Sequence, residues 1–157
     1  MASGLSVYSA NIINNLLLRT ASGTAFTKPD QYWIMLMTGG GSTLNALLRA
    51  DNLASAVSYE VSTSGTAYAR LQVDGRATGG ATGRIFSASS SGLSENTATW
   101  AFAECTATWN TVTTGALVDV SSGSSGHIWY WADLTANKLV SPPDIFRFLT
   151  GAFDVQM

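Results

Sequence analysis

The sequence predicts a mainly β protein, an antiparallel β-sandwich or jelly-roll-like domain with one amphipathic helix at its N-terminal end. Charged residues make up only 11% of the chain, which contains 15 glycines and takes most of its polarity from Ser, Thr and Asn. These residue types favour turns and caps over helix interiors. Seven or eight short apolar or alternating segments follow one another at roughly 8–12-residue spacing, which is typical of sandwiches. Helices do not alternate with strands, so a parallel sheet is not expected.

The length of 157 residues fits one domain with a core of its own. We therefore expect a single β-sandwich domain over residues 1–157. Residues 1–24 would form its N-terminal helical segment, and the strands would lie within residues 31–157.

The N-terminal segment has the periodicity of an amphipathic helix. Tyr8, Ile12 and Leu16 are four residues apart and share one face. Ser6 or Ser9 is suited to cap its start. Because one short helix is marginal alone in water, this face packs either on its own domain or on a neighbouring subunit. The candidate interface residues on this face are Ile12, Ile13, Leu16 and Leu17.

The first half of the strand region begins with a continuous apolar run at residues 31–37, which predicts a strand buried on both faces. Residues 42–56 contain regularly placed leucines and predict either a short second helix or a long loop. Residues 66–73 alternate and predict a strand, with a turn at Asp74-Gly75. Residues 84–86 predict another short strand.

The second half contains the most aromatic segments. Residues 97–102 alternate, residues 109–120 predict a strand bent at Gly115, and residues 127–132 predict the most aromatic strand. The remaining predicted strands are residues 139–140, 145–149 and 152–155.

Large aromatic side chains on these strands are expected to fill the core. Arg70 alternates with Tyr68 on one face and could reach a carboxylate across neighbouring strands, either Glu60 or Asp119. The candidate buried ion pair is Arg70 with Glu60. The candidate core residues are Trp33, Tyr68, Trp100, Trp109, Trp129 and Phe146.

No catalytic, metal or cofactor site is predicted. His127 is the only histidine and Cys105 the only cysteine, so a metal cluster has no obvious ligands and Cys105 is expected to be a small buried residue. No nucleophile elbow or phosphate loop is present. The segment from Trp129 to Asp133 could stack on a sugar, although such an aromatic strand more often fills a sandwich core.

Charge and hydropathy exclude further classes of partner. A net charge of −2 with 8 Lys and Arg residues gives no basic surface for nucleic acid. No apolar run approaches the roughly 18 residues that cross a bilayer, and no secretory signal is recognised. We therefore expect neither a nucleic-acid nor a membrane partner, and synthesis in the bacterial cytoplasm without secretion.

The order and spacing of several short motifs resemble a family of small virion proteins of tailed bacteriophages, which are variously labelled capsid decoration, minor tail or tail-fibre proteins. The resemblance covers most of the chain, and residues 75–96 are longer than the family pattern and stay unassigned. The matching pieces are residues 32–36, Glu60-Val61-Ser62, Tyr68-Ala69-Arg70, residues 100–103, 109–113, 129–134 and 144–148.

The resemblance implies a structural role on the outer surface of the phage particle, and the lack of catalytic groups agrees with it. The first hypothesis is a capsid decoration (cement) protein that binds the major capsid protein and copies of itself, as a homodimer or homotrimer. The alternative is a tail or fibre adaptor, or a receptor-binding protein that recognises a host surface glycan. A glycan hydrolase ranks last, because paired carboxylates are not recognisable.

Overall fold

The computed structural model describes residues 3–18, 28–75 and 80–156, with no description of the side chains of Leu17, Leu18 and Gln156. Positions 19–24 of the predicted helical segment therefore lie outside the described residues. The helices and strands in chain order are β1 Ser3–Leu5, α1 Val7–Leu18, β2 Gln31–Thr38, α2 Gly41–Arg49, α3 Leu53–Ala56, a 3-10 turn Val57–Tyr59, β3 Leu71–Asp74, β4 Leu93–Glu95, β5 Trp100–Glu104, β6 Asn110–Val118, β7 Ile128–Val140, β8 Ile145–Phe148 and β9 Asp154–Gln156.

The described strands pair in antiparallel fashion throughout. Five of them form one sheet in the order β1-β7-β6-β2-β3, while β4 pairs with β9 and β5 pairs with β8. The predicted mainly β class with an N-terminal helix is confirmed. The observed strand order does not establish a jelly roll.

Strand β2 lies inside the protein and is covered on both faces, as its apolar run predicts. Ile34 and Leu36 point into one hydrophobic cluster, whereas Met35 and Met37 point into a second. All four side chains are fully buried. Because side chains alternate along a strand, this one segment connects the two cores of the protein.

The first core lies between the five-stranded sheet and the β5–β8 pair. It is rich in aromatic rings that meet edge to face, a favoured arrangement worth about 0.5–1.5 kcal/mol per pair beyond the buried area. For example, the ring centroids of Phe102 and Phe146 are 5.9 Å apart, and those of Tyr68 and Trp109 are 5.3 Å apart. The small sheet therefore packs over one face of the large one.

The second core lies on the opposite face of the sheet, beneath α2 and α3. Residues 42–56 form these two helices and a turn, not a long loop. Leu44 and Leu48 are four residues apart on α2 and are fully buried against β2 and β6. Asn52 caps α3, with its Oδ1 accepting a hydrogen bond from the Ser55 amide at 3.1 Å.

Two predicted strands begin later than expected, and a third forms only an isolated bridge. Residues 66–70 are not a strand, and only Leu71–Asp74 pairs with β2. Ala67 has a φ of 58°, which breaks a strand, yet Thr66, Tyr68 and Arg70 still alternate into the interior. The segment at residues 84–86 makes one isolated bridge through Phe86, and the strand predicted from residue 97 begins at Trp100.

The long hairpin of β6 and β7 is irregular at two places, neither of which is Gly115. Gly115 pairs regularly with Leu36 and with Ala132, so the predicted bend at this residue is wrong. One irregularity places residues 134–137 of β7 opposite Thr113, and the other leaves Trp129 as an extra residue. The predicted strands at residues 127–132 and 139–140 are two ends of the single strand β7.

Candidate functional site

Helix α1 begins at Val7 because Ser6 caps it. The Ser9 amide donates to Ser6 Oγ at 3.3 Å, and the Ala10 amide donates to the Ser6 carbonyl oxygen at 3.0 Å. The Ser6 hydroxyl also donates to the carbonyl oxygen of Ile128, the first residue of β7. The cap therefore starts the helix and attaches it to the sheet at the same point.

An apolar groove of about 390 Å³ runs between α1 and the sheet; we call it the N-terminal groove. Three of the four predicted interface residues, Ile12, Ile13 and Leu16, line it from the helix side, and Tyr32 and Trp129 line it from the sheet side. Leu16 is 59% exposed. The side chain of Leu17, the fourth predicted residue, lies outside the described part of the chain.

His127 lies beside the start of α1 and contacts it through its ring. Its imidazole stacks on the ring of Tyr8 with centroids 3.6 Å apart and planes 1° apart. Its Nδ1 lies 2.7 Å from Asp51 Oδ2, while Asp51 Oδ1 accepts a hydrogen bond from the Ile128 amide at 2.6 Å. Asp119 accepts a hydrogen bond from the His127 backbone amide at 2.7 Å. This histidine thus connects the helix to two loops of the main body.

Two tyrosines near the groove hold their protons more tightly than a free tyrosine does. Burial raises the pKa of Tyr32 to about 12, with smaller contributions from Asp119 and Tyr8. Burial also raises the pKa of Tyr8, helped by the carboxylates of Asp119 and Asp51. Both phenols therefore stay neutral where an unfolded chain begins to ionise, so the protein gains stability from them below pH 10.

We expect unfolding to become easier as the pH rises from 10 towards 12, and we expect Tyr32→Phe to reduce this loss. A raised pKa stabilises the folded state at low pH and ceases to do so as the pH passes the folded value. Two pKa units correspond to roughly 2–3 kcal/mol. Urea unfolding of both proteins across this pH range measures the effect. Parallel loss of stability in the two proteins would contradict it.

Arg70 makes a buried two-point ion pair with Glu60. Its Nε and one terminal nitrogen each lie 2.8 Å from a Glu60 carboxylate oxygen, and the Arg70 side chain is 2% exposed. The guanidinium also donates to the carbonyl oxygens of Val120 and Gly123 at 3.2 Å and 2.8 Å. The Tyr68 hydroxyl donates to the same Glu60 carboxylate at 3.1 Å. Asp119, the other carboxylate considered for Arg70, instead accepts hydrogen bonds from His127 and Trp129.

The predicted core residues fall into two groups. Tyr68, Trp100, Trp109 and Phe146 are buried. Trp33 and Trp129 are only partly buried and pack against the edges of the two cores. Trp129 takes its position from the irregular pairing of β7, which turns its ring towards Tyr8 and Tyr32.

The aromatic strand does not offer a free stacking surface. Trp131 is 1% exposed, and Trp129 is partly buried, with Tyr8 and Tyr32 meeting its ring edge to face. A second hollow of about 790 Å³ is lined by Tyr130, Phe148 and Phe153, each of which is less than a tenth exposed. Within the described residues, the large apolar side chains that are exposed are aliphatic, namely Val7, Leu16, Leu139 and Leu149.

No described residues assemble into a metal site, since no three His, Cys, Asp or Glu side chains there are placed to share an ion. Cys105 is buried, and its Sγ lies 2.8 Å from the Ala107 carbonyl oxygen. The Nδ1 atom of His127 contacts the carboxylate of Asp51 and not a hydroxyl or thiol that could act as a nucleophile in acyl transfer.

Two contacts of this region were not predicted from the sequence. Asp51 is 76 residues from His127 along the chain, and neither lies in a recognisable motif. The Ser6 cap was foreseen as one of two options, but its bond to Ile128 was not. The folded topology alone brings these groups together, so no local signal would have identified them.

A protein-family model described as podophage GP4 fiber I protein gp80 matches residues 4–156. The chain belongs to this family. The predicted resemblance to tailed-phage virion proteins is thereby confirmed. The gp80 family protein is a structural protein of a phage virion, and the family description names a fibre. No curated protein matches the chain. Among the helices in the described ranges, none has the length and hydrophobicity that a bilayer crossing requires.

Proposed function

We propose that this gp80 family protein is a non-enzymatic adaptor of the phage fibre apparatus, which works by binding neighbouring virion subunits. The observation that carries the proposal is the match of residues 4–156 to a fibre protein family. Because the match includes α1, the sheet and both small sheets, it concerns the whole described fold and not one motif.

The surface supports a binding role. With only 11% charged residues, few charges have to be desolvated when the protein packs against another subunit, and burying unpaired charges is costly. The N-terminal groove is apolar, and Leu16 stands exposed at its side. Interfaces use such desolvated apolar centres surrounded by polar residues. We therefore assign the contact with a neighbouring subunit, including another copy of the chain, to this face.

Capsid decoration, the first hypothesis from the sequence, ranks second for this protein. It rests on small size, low charge and the absence of a recognised active site, all of which a fibre adaptor shares. The family description names a fibre, so the fibre apparatus is the better-supported location. The major capsid protein is then expected as a partner only if the protein decorates the capsid.

Glycan recognition by a stacked aromatic ring has less support than an adaptor role. Sugar binding of this kind needs an accessible aromatic face, whereas Trp131 is buried and Trp129 is partly buried with Tyr8 and Tyr32 against its ring. The receptor-binding form of the fibre hypothesis therefore does not rest on these two residues.

Labelling intact phage particles tests the location. Antibody-linked gold against this chain, imaged on purified particles, should mark the tail region and leave the head facets unlabelled. Cryo-electron microscopy of the same particles should place the fold within the fibre apparatus. Label over all head facets would instead support capsid decoration and overturn the fibre assignment.

The proposed contact face predicts a specific defect. Leu16→Glu should reduce incorporation of the protein into particles by about tenfold, because it places a charge in an apolar contact, at a cost of order 1.4 kcal/mol or more. Asn14→Glu, on an exposed position of the same helix, is the matched control and should assemble normally. Immunoblots of purified particles measure incorporation, and circular dichroism checks folding. Equal incorporation of both variants would show that the groove is not part of the interface.

A further inference from the structure

Residues 3–18, which comprise β1 and α1, form an N-terminal arm that is held to the protein mostly by polar and ring contacts. Its buried side chains are those of Ser6 and Ser9. None of its described apolar side chains is fully buried, and Val7 and Leu16 are at least half exposed. Leu5 packs against the first core but is only partly buried. Apolar burial is the main source of stability, so the arm receives little stability from the core.

The arm contacts mainly the strand β7 and His127, the residue before it. Among the described elements, β7 is the main neighbour of both β1 and α1. Three residues of β1 pair with residues 130–132 of β7, and the Ser6 hydroxyl donates to the Ile128 carbonyl oxygen. The parallel stack of Tyr8 on His127 adds the closest ring contact in the described part of the protein.

The surface beneath the arm is fixed from the opposite side. Asp51 contacts the Nδ1 atom of His127 and accepts a hydrogen bond from the Ile128 amide. Asp119 accepts hydrogen bonds from the His127 amide and from the Trp129 indole. These bonds all join groups outside the arm. The surface on which the arm lies therefore keeps these hydrogen bonds whether the arm is docked or not.

From these contacts we infer that the N-terminal arm opens as a unit while the rest of the protein stays folded, and that the stack of Tyr8 on His127 is the clasp that limits this opening. Local opening is drawn from regions with few buried apolar contacts, and the arm is such a region. In the open state, the groove faces of Tyr32 and Trp129 and the β7 edge at residues 130–132 become accessible.

Hydrogen exchange on the full-length protein tests this inference. In the wild type, amides of residues 10–18 should exchange at least about tenfold faster than those of β2 and β6. Tyr8→Ala should accelerate exchange of the arm by about a further fivefold and leave β2 and β6 unchanged. Asn11→Ala, on the exposed side of the same helix, is the matched control and should not accelerate it.

A double-mutant cycle identifies the clasp. His127→Ala should also accelerate the arm, and the double variant should accelerate it by less than the two single effects combined, because the stack is the contact that both substitutions remove. Arm amides as slow as those of β6 in the wild type would overturn independent opening. Additive effects in the double variant, or equal acceleration of β2 and β6, would overturn the role of the stack. None of these outcomes depends on where the protein lies in the virion.

Discussion

Arg70→Met should lower the free energy of unfolding by about 3–5 kcal/mol, the loss typical of breaking a buried ion pair from one side. The substitution keeps a long side chain in place but removes the positive charge. The Glu60 carboxylate, whose side chain is 13% exposed, would then lose its charged partner and retain the Tyr68 hydroxyl as a side-chain hydrogen-bond donor. The carbonyl oxygens of Val120 and Gly123 would also lose their guanidinium donor.

The loss should be partly recovered when both charges are removed. Arg70→Met combined with Glu60→Gln replaces an unpaired buried charge with a neutral amide, so the double variant should be more stable than Arg70→Met alone. Arg147→Met is the matched control, because Arg147 is an exposed arginine on β8. Urea unfolding measures all four proteins. If Arg70→Met costs no more than Arg147→Met, the pair does not stabilise the fold.

Trp109→Ala should cost a similar 3–5 kcal/mol, the range measured for removal of a large aromatic side chain from a core. Trp109 is 1% exposed and packs against Tyr68 and Phe102. Its indole nitrogen donates to the Thr66 carbonyl oxygen at 2.8 Å. The ring therefore ties the irregular segment before β3 to the aromatic core, and its removal leaves both a cavity and a weakened attachment.

Two further substitutions separate these effects. Trp109→Phe keeps most of the ring and loses the indole donor, so it should cost clearly less than Trp109→Ala. Leu149→Ala, at a side chain that is 64% exposed, is the control for removing apolar atoms outside the core. Thermal and urea unfolding measure the three variants. A cost for Trp109→Ala no larger than that of Leu149→Ala would show that this ring is not part of the stabilising core.

The local hydrophobic pattern predicted a strand correctly where the side-chain burial and the backbone pairing follow the same segment. It failed where side chains alternate in burial but the backbone does not pair. Residues 32–37 are apolar at every position because β2 is covered by a core on each face, so composition alone identifies the strand. Residues 66–70 alternate because Thr66, Tyr68 and Arg70 point inward. Their backbone does not pair as a strand, and alternation cannot distinguish these two situations.

Within the candidate site, a contact could be predicted from the sequence only where a residue had few possible partners. Strand pairing placed two carboxylates, those of Glu60 and Asp119, within possible reach of Arg70. In the structure Arg70 pairs with Glu60. The N-terminal groove was not predictable, because its walls come from a helix and from strands whose relative placement depends on the whole topology. The stack of His127 on Tyr8 depends on the same placement, and a single histidine next to a polar loop carries no signal of it.

The irregular pairing of β7 has a consequence for which part of the sheet can accept a further strand. Residues 134–137 protrude opposite Thr113, and Lys138 follows directly. In the described residues β1 pairs only with residues 130–132 of β7, and the kinked stretch beyond them, which carries a lysine, is a poor template for a straight incoming strand. This end of β7 is therefore unsuited to pairing with a strand of another molecule, and contacts made here would have to use side chains.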